Sequence, residues 1–343
     1  MSGDSVRGAF VGLADIAYHL PTRRVTNLEL SRECPAWEMD RVEARTGVFS
    51  RHIAAPEETA LDLALAACRN LIRRNPELHA LVDGIVFCTQ SPDYIMPPNS
   101  CVLHRELGLR DGVFAFDTNL ACSGFVYSLA LARGLIAIGT CSNILLVTAD
   151  TYSRYINPKD RSARSLFGDG AAVTWVRSAT DPGVLDLICE TSGKGFEKFY
   201  IPAGGARKPL AGTPVVISTD ASGNARTAAD IHMDGMGVLS FVNSKVPGQI
   251  RRLLDRNSVS VTDIDLFIFH QASKLALDSL ARLMKLPEDR VYRNLETIGN
   301  TVSASIPISI AQARCENRIN IGDLVLLSGF GVGLSWGSAL VRM

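Results

Sequence analysis

Two stretches of this chain repeat each other's pattern, and that repeat limits the possible folds more than any other feature. Val82-Asp-Gly-Ile-Val-Phe-Cys-Thr-Gln-Ser91 matches Ile264-Asp-Leu-Phe-Ile-Phe-His-Gln-Ala-Ser273, and Ile144-Leu-Leu-Val-Thr-Ala149 matches Leu324-Val-Leu-Leu-Ser-Gly329, both at a spacing of about 180 residues. Between the paired stretches each half carries a strand, a short polar turn and an Ala/Ser-rich helix, from Phe116 in the first and from Val291 in the second. The expectation is two similar α/β halves, 1–180 and 181–343. The turns at Cys122 and Asn300 then occupy equivalent places and face one crevice across a pseudo-twofold axis.

The rest of the chain agrees with an α/β class. Short apolar runs alternate with longer amphipathic segments. The pattern predicts strands at Gly84–Cys88, Val113–Phe116, Ile144–Thr148, Ala171–Val176, Leu266–Phe269, Leu324–Leu327 and Ser338–Val341. It predicts helices at 59–74, 123–138, 237–255, 273–284 and 303–316. With 47% hydrophobic and 20% charged residues in 343, the composition fills a core and is not that of a disordered chain. Equal counts of basic and acidic residues, 35 each, argue against a whole-protein footprint for nucleic acid. No apolar run approaches a bilayer span, and Met1–Arg7 lacks the apolar stretch of a signal peptide. The eight cysteines include no Cys-x-x-Cys pair, so neither a zinc ribbon nor a disulfide framework is expected. Most are expected to be buried thiols in a reducing cytoplasm.

Five segments carry candidate chemistry. In Asp117-Thr-Asn-Leu-Ala-Cys-Ser-Gly124, Cys122 stands between a strand and a helix, among small residues. Unpaired N–H groups and the helix dipole lower a thiol's pKa there, so Cys122 reads as a nucleophile or as one more buried thiol. His270 ends the strand Phe267-Ile-Phe269, where open α/β sheets place ligands; a satisfied core histidine is the other reading. Asn300 sits in a Gly-Asn-Thr turn that is also ordinary turn chemistry. In Leu327-Ser-Gly-Phe-Gly-Val-Gly333 the glycines lack dinucleotide-loop spacing, but a turn between strands can bring a backbone N–H to a reacting oxygen. Ser165-Leu-Phe-Gly-Asp-Gly170 is a tight turn in which Asp169 is as easily structural as functional.

Together these motifs resemble the β-ketoacyl-acyl-carrier-protein synthase III family, condensing enzymes of the thiolase superfamily. The resemblance runs from about residue 8 to the last residue. It is carried by Ala121-Cys122-Ser-Gly-Phe125, His270-Gln-Ala272, Gly299-Asn300-Thr301, Phe167-Gly-Asp-Gly170, Trp336-Gly-Ser-Ala-Leu-Val-Arg342, Arg45-Thr-Gly47 and Arg51-His-Ile-Ala-Ala-Pro56. It implies duplicated βαβαβαββ halves in a five-layer αβαβα fold, a homodimer, and a Cys122, His270, Asn300 catalytic set. The implied oxyanion hole is the backbone N–H groups of Cys122 and Val332. Substrate contacts would come from Arg45, Arg161, Met96, Met233, Met236, Ser273 and Lys274. Acyl-CoA or acyl-ACP and malonyl-ACP would be substrates, with an acyl carrier protein as partner and neither metal nor other cofactor. Met96 would reach the partner's acyl pocket in the dimer.

The departures from the family lie where substrates dock. Arg41 stands where housekeeping members place an adenine-stacking tryptophan, with Trp37 one turn earlier. Ser273-Lys274-Leu275 replaces Asn-Leu-Arg after His-Gln-Ala, moving the positive charge by one residue, about 100° around a helix. Gly235-Met236 replaces Gly-Asn. These departures imply a specialised fatty-acid or polyketide-type pathway. The competing readings are an acyltransferase of the same fold that forms no C–C bond, an inactive subunit and, furthest, a dehydrogenase. A thiolase is disfavoured, because no cysteine follows Cys315.

Overall fold

The computed structural model describes residues 10–343; the Met1–Arg7 segment discussed above lies outside them. The first sheet is built from β1 (Phe10–His19), β2 (Gly84–Cys88), β3 (Phe114–Thr118), β4 (Asn143–Asp150) and β5 (Gly170–Ala179), in the order β1-β5-β4-β2-β3. The second is built from β6 (Val184–Thr191), β7 (Leu266–Phe269), β8 (Leu324–Gly331) and β9 (Ser335–Arg342), in the order β6-β9-β8-β7. Strand directions agree as well. In each sheet the second strand in the order runs antiparallel to both the first and the third, and the fourth is parallel to the third. Where β3 would have its counterpart, the second sheet has a single parallel bridge between Phe267 and Val291. The repeated stretches therefore superpose in topology, β2 on β7 and β4 on β8.

Helices α1 (Ala60–Arg74) and α2 (Asn99–Leu107) cover the outer face of the first sheet. Helices α4 (Gly235–Arg256) and α5 (Lys274–Met284) belong to the outer layer of the second. Between the sheets lie α3 (Gly124–Ala137) and α6 (Ser305–Cys315), each touching strands of both. The result is the five-layer αβαβα order of a thiolase fold. The middle helices have little amphipathic contrast because apolar sheets cover two sides of each. α6 buries Ile306, Ile308 and Ile310, which point to different sides of the helix, and Ser305 and Ser309 are buried with them.

Three differences from the expected elements have physical causes. β1 and β6 were not expected. Each is an edge strand with only part of its surface buried, and Asp15 and Asp186 interrupt the apolar pattern. Trp37 is not a turn earlier on a common helix with Arg41: it precedes the short helix Met39–Thr46 and lies under the Arg164 guanidinium. Of the eight cysteines, all free, Cys68, Cys88, Cys122 and Cys141 are buried; Cys34 and Cys189 are half-buried and Cys101 and Cys315 exposed, so the expectation that most are buried holds for half of them.

The halves are joined at the centre by a carboxylate. Asp150, at the end of β4, is fully buried and accepts hydrogen bonds from the Gln90 N–H (2.8 Å), the Ser303 N–H (3.2 Å) and the Ser303 hydroxyl (2.5 Å). Ser303 lies in the turn that opens α6, in the other half. An Asp150→Ala variant leaves these donors buried without a partner, and stability should fall by about 2–5 kcal/mol. A drop in the denaturation midpoint smaller than that of a surface Asp→Ala control would contradict this.

Candidate active site

Cys122 lies between β3 and α3, two residues before the first residue of the helix. Gly331, at the end of β8, packs against it so closely that a Cβ there would stand 2.8 Å from the Cys122 Cβ and 2.9 Å from the sulfur. The turn after Gly331 brings the Val332 N–H to that sulfur, which it shares with the N–H of Cys122 itself. Both N–H groups favour the thiolate, in the sense read from the sequence. They do not win. Burial, and then the Asp150 carboxylate, push the thiol above its ordinary range, so Cys122 rests as a neutral thiol. The lowered pKa inferred from helix position is corrected here: desolvation of a residue only 4% exposed outweighs two N–H groups.

His270 follows β7, and its main-chain N–H donates to the Ser328 carbonyl of β8 at 2.8 Å. Its ring is edge-on to Phe330, with centroids 5.8 Å apart. Burial depresses its pKa to about 3, so the imidazole is neutral and donates from one nitrogen only. Gln271 fixes the loop. It is fully buried, its side chain donates to the Phe269 and Tyr292 carbonyls (2.9 and 3.2 Å) and accepts from the Asn294 N–H (3.1 Å), and its main-chain N–H donates to the Ser305 hydroxyl oxygen.

Asn300 is held by the Phe167-Gly-Asp-Gly turn, a relationship not visible in the sequence. Its N–H donates to the Leu166 carbonyl (2.9 Å) and its carbonyl accepts from the Gly168 N–H (3.0 Å). Gly299 makes the turn possible at φ +72°, where a Cβ would stand 2.9 Å from the Leu166 oxygen. The Asn300 Oδ1 accepts from the Val302 N–H at 2.9 Å, which leaves Nδ2 as the donor end, 3.4 Å from the Ala272 carbonyl. Asp169 proves to be structural: buried, it accepts from the Ala54 N–H and from the N–H and hydroxyl of Ser153. Arg51 is likewise buried and ties Val25, Asn27 and Ser165 together.

One cavity of about 580 Å³ takes in Cys122, His270 and Asn300. Arg45, Arg161, Met233, Met236 and Ser273 also line it. The cavity does not include Lys274, whose ammonium pairs with Asp278 at 2.5 Å, or Met96, which is exposed on a loop. Val332 lines a neighbouring cavity instead, reaching the site through its N–H. Sequence reading missed the hairpin Ser218–Thr219/Ala225–Arg226, which brings Asp220, Asn224 and Arg226 to the cavity wall, because its polar, Gly-rich stretch has no periodicity. Among the described residues no group of three or more His, Cys, Asp or Glu could hold a metal ion, and no helix is long and apolar enough to cross a membrane.

Two family models match, 3-oxoacyl-[acyl-carrier-protein] synthase III over residues 116–193 and its C-terminal part over 254–343. A β-ketoacyl-[acyl-carrier-protein] synthase III of Solibacter usitatus is 32% identical over 337 residues, covering 96% of this chain and 98% of the relative. The chain belongs to the β-ketoacyl-acyl-carrier-protein synthase III family. It is thus an acyl-transferring condensing enzyme. A crystal structure of a 3-oxoacyl-(acyl-carrier-protein) synthase III is similar at a TM-score of 0.95 and 40% identity, covering 97% of this chain and all of that one. A crystal structure of a 3-oxoacyl-(acyl-carrier protein) synthase from Burkholderia xenovorans LB400 gives 0.91 and 30%, covering 98% of this chain and 95% of that one.

Two outcomes follow from the synthase III site. Gly331→Ala pushes a methyl against the sulfur, so alkylation of Cys122 by iodoacetamide, followed by intact mass, should slow by about tenfold or more; an unchanged rate would contradict the packing. Unfolded histidine binds a proton near pH 6.5, but folded His270 does so only near pH 3. Its contribution to stability is therefore present above pH 6.5 and lost as pH falls toward 3. Denaturant titrations of His270→Gln should show a shallower loss over that range than the wild type.

Proposed function

We propose that this enzyme catalyses decarboxylative condensation, with Cys122 as acyl acceptor and His270 and Asn300 as donors to the second substrate. The Cys122 sulfur attacks the carbonyl carbon of an acyl thioester. The S–C bond to the enzyme forms, the bond to the carrier sulfur breaks, and the carrier thiol leaves with the proton that Cys122 gives up. The N–H groups of Cys122 and Val332 receive the charge that develops on the carbonyl oxygen. A malonyl thioester then loses CO₂, and its enolate oxygen accepts hydrogen bonds from the His270 ring and the Asn300 Nδ2. The enolate carbon attacks the acyl group, giving a β-ketoacyl thioester and a Cys122 thiolate that takes a proton from solvent.

The observation that carries this reading is the single cavity in which a thiol flanked by two N–H groups meets a neutral imidazole and an amide turned donor-outward. A neutral His270 suits a donor to a forming enolate. Arg45 and Arg161 at the cavity wall suit the phosphates of coenzyme A or of a carrier protein's prosthetic arm. The acyl carrier protein named for the relatives is proposed as the malonyl donor here. The altered docking positions, Arg41, Met236 and the ion-paired Lys274, support a specialised fatty-acid or polyketide-type pathway. The edge strand β3 carries the partly exposed Phe114 and Phe116, which suits pairing with a second copy in a homodimer. Eight free thiols suit the cytoplasm.

Acyl-CoA should add one acyl mass to the wild type and none to Cys122→Ala. His270→Ala and Asn300→Ala should still acylate but release CO₂ from malonyl thioester about 10²–10³-fold more slowly. Acyl transfer to another acceptor without CO₂ release would overturn condensation in favour of simple acyl transfer.

A further inference from the structure

Beside the catalytic cavity lies a second one, of about 330 Å³. It shares the Phe199 ring with the first. Val332, whose N–H meets the Cys122 sulfur, and Gly333 close its near end. An acyl group on Cys122, with its oxygen on those N–H groups, has two directions open to its tail. The cavity of Arg45 and Arg161 suits the charged carrier. The second cavity, with no charged side chain in its lining, suits the tail.

Most of that chamber is aromatic or aliphatic: Tyr152, Tyr155, Phe199, Tyr200 and Ile231 line it. Tyr152 packs on Phe167 and Phe199, with centroids 5.5 and 6.4 Å away, and is 3% exposed. Gln90 does not fit that pattern. Its main-chain N–H is fixed on the buried Asp150 carboxylate at 2.8 Å. Its Oε1 accepts the Tyr152 hydroxyl at 2.6 Å. With the acceptor end taken, the amide is oriented, and Nε2 is the end left for a ligand. Asn119 supplies a second carboxamide to the same chamber. A plain hydrocarbon tail would cover these donors and offer them nothing, which disfavours it.

We propose that the chamber selects acyl groups bearing a hydrogen-bond-accepting oxygen beyond the thioester, read by Gln90 Nε2, over alkyl chains of the same length. The proposal rests on the reading of Cys122 as acyl acceptor. Gln90 and Tyr152 are then the specificity-determining pair: Tyr152 orients the amide and the amide meets the substrate.

The test uses the full chain with hexanoyl-CoA, 4-oxohexanoyl-CoA and 5-oxohexanoyl-CoA, following the Cys122 adduct by intact mass over time. At least one oxo substrate should acylate about tenfold faster than hexanoyl-CoA. Gln90→Leu keeps the bulk and removes the donor, and should cut the oxo-to-alkyl ratio about tenfold. Tyr152→Phe keeps the ring and frees the amide to turn, and should cut it severalfold; it carries the test should Gln90→Leu fail to fold. Equal or faster reaction of hexanoyl-CoA with the wild type, or an unchanged ratio in the folded variants, overturns the selectivity alone. An adduct with none of the three overturns the acceptor reading and this proposal together.

Discussion

The Asp150 carboxylate is the hinge pin of the molecule. It ends a central strand of one half, and its hydrogen bonds to Ser303 seize the start of the central helix of the other. Asn300 lies three residues before Ser303, so the same contact that joins the halves fixes the amide's distance from Cys122. Among the described residues no cation pairs with this carboxylate, and burial raises its pKa to about 7. Four donors, from Gln90, Thr89 and twice from Ser303, offset part of that cost. Burial first, and then its charge, hold Cys122 and Tyr152 in their protonated forms.

The resting site is accordingly almost free of charge at its centre. A neutral thiol faces a neutral imidazole, both desolvated, and the donors around them are dipoles fixed by the fold. Such a site is poorly matched to an ion in the ground state and well matched to charge that appears during reaction. The geometry makes this economical. Val332 is aimed by the β8–β9 turn, Asn300 by a turn zipped to Phe167, and His270 by Gln271. Asn300 is held by main-chain contacts, and the His270 loop by the buried Gln271 side chain.

Much of this could be read in the sequence, for uneven reasons. β2 and β7 were evident with their bounds because both faces of each are buried and their residues form unbroken apolar runs. Cys122 and His270 stood out because each follows a strand and precedes a helix, Asn300 stood out only through the repeat, and the family resemblance joined the three. What could not be read were contacts between segments far apart in the chain. Asp150 and Ser303 are 153 residues apart, and nothing local marks either. The contacts of Gln271 with Tyr292 and Asn294, and of the Phe167 turn with Asn300, were out of reach in the same way, although the motifs themselves stood out. The resting charge of Cys122 was misjudged because the helix end is local and visible, whereas the burial that opposes it is a property of the whole fold. Lys274 looked like a displaced docking charge until Asp278, one turn along α5, claimed it.

The empty space that Gly331 leaves for the sulfur has a lasting effect on how such an enzyme changes over generations. On that flank the nucleophile is seated by missing atoms, so no replacement there can widen or reshape its surroundings without displacing it. New tastes in acyl groups must be acquired from the opposite flank, where Gln90, Tyr152 and Phe199 project side chains that can be exchanged one at a time while the reactive centre stays put.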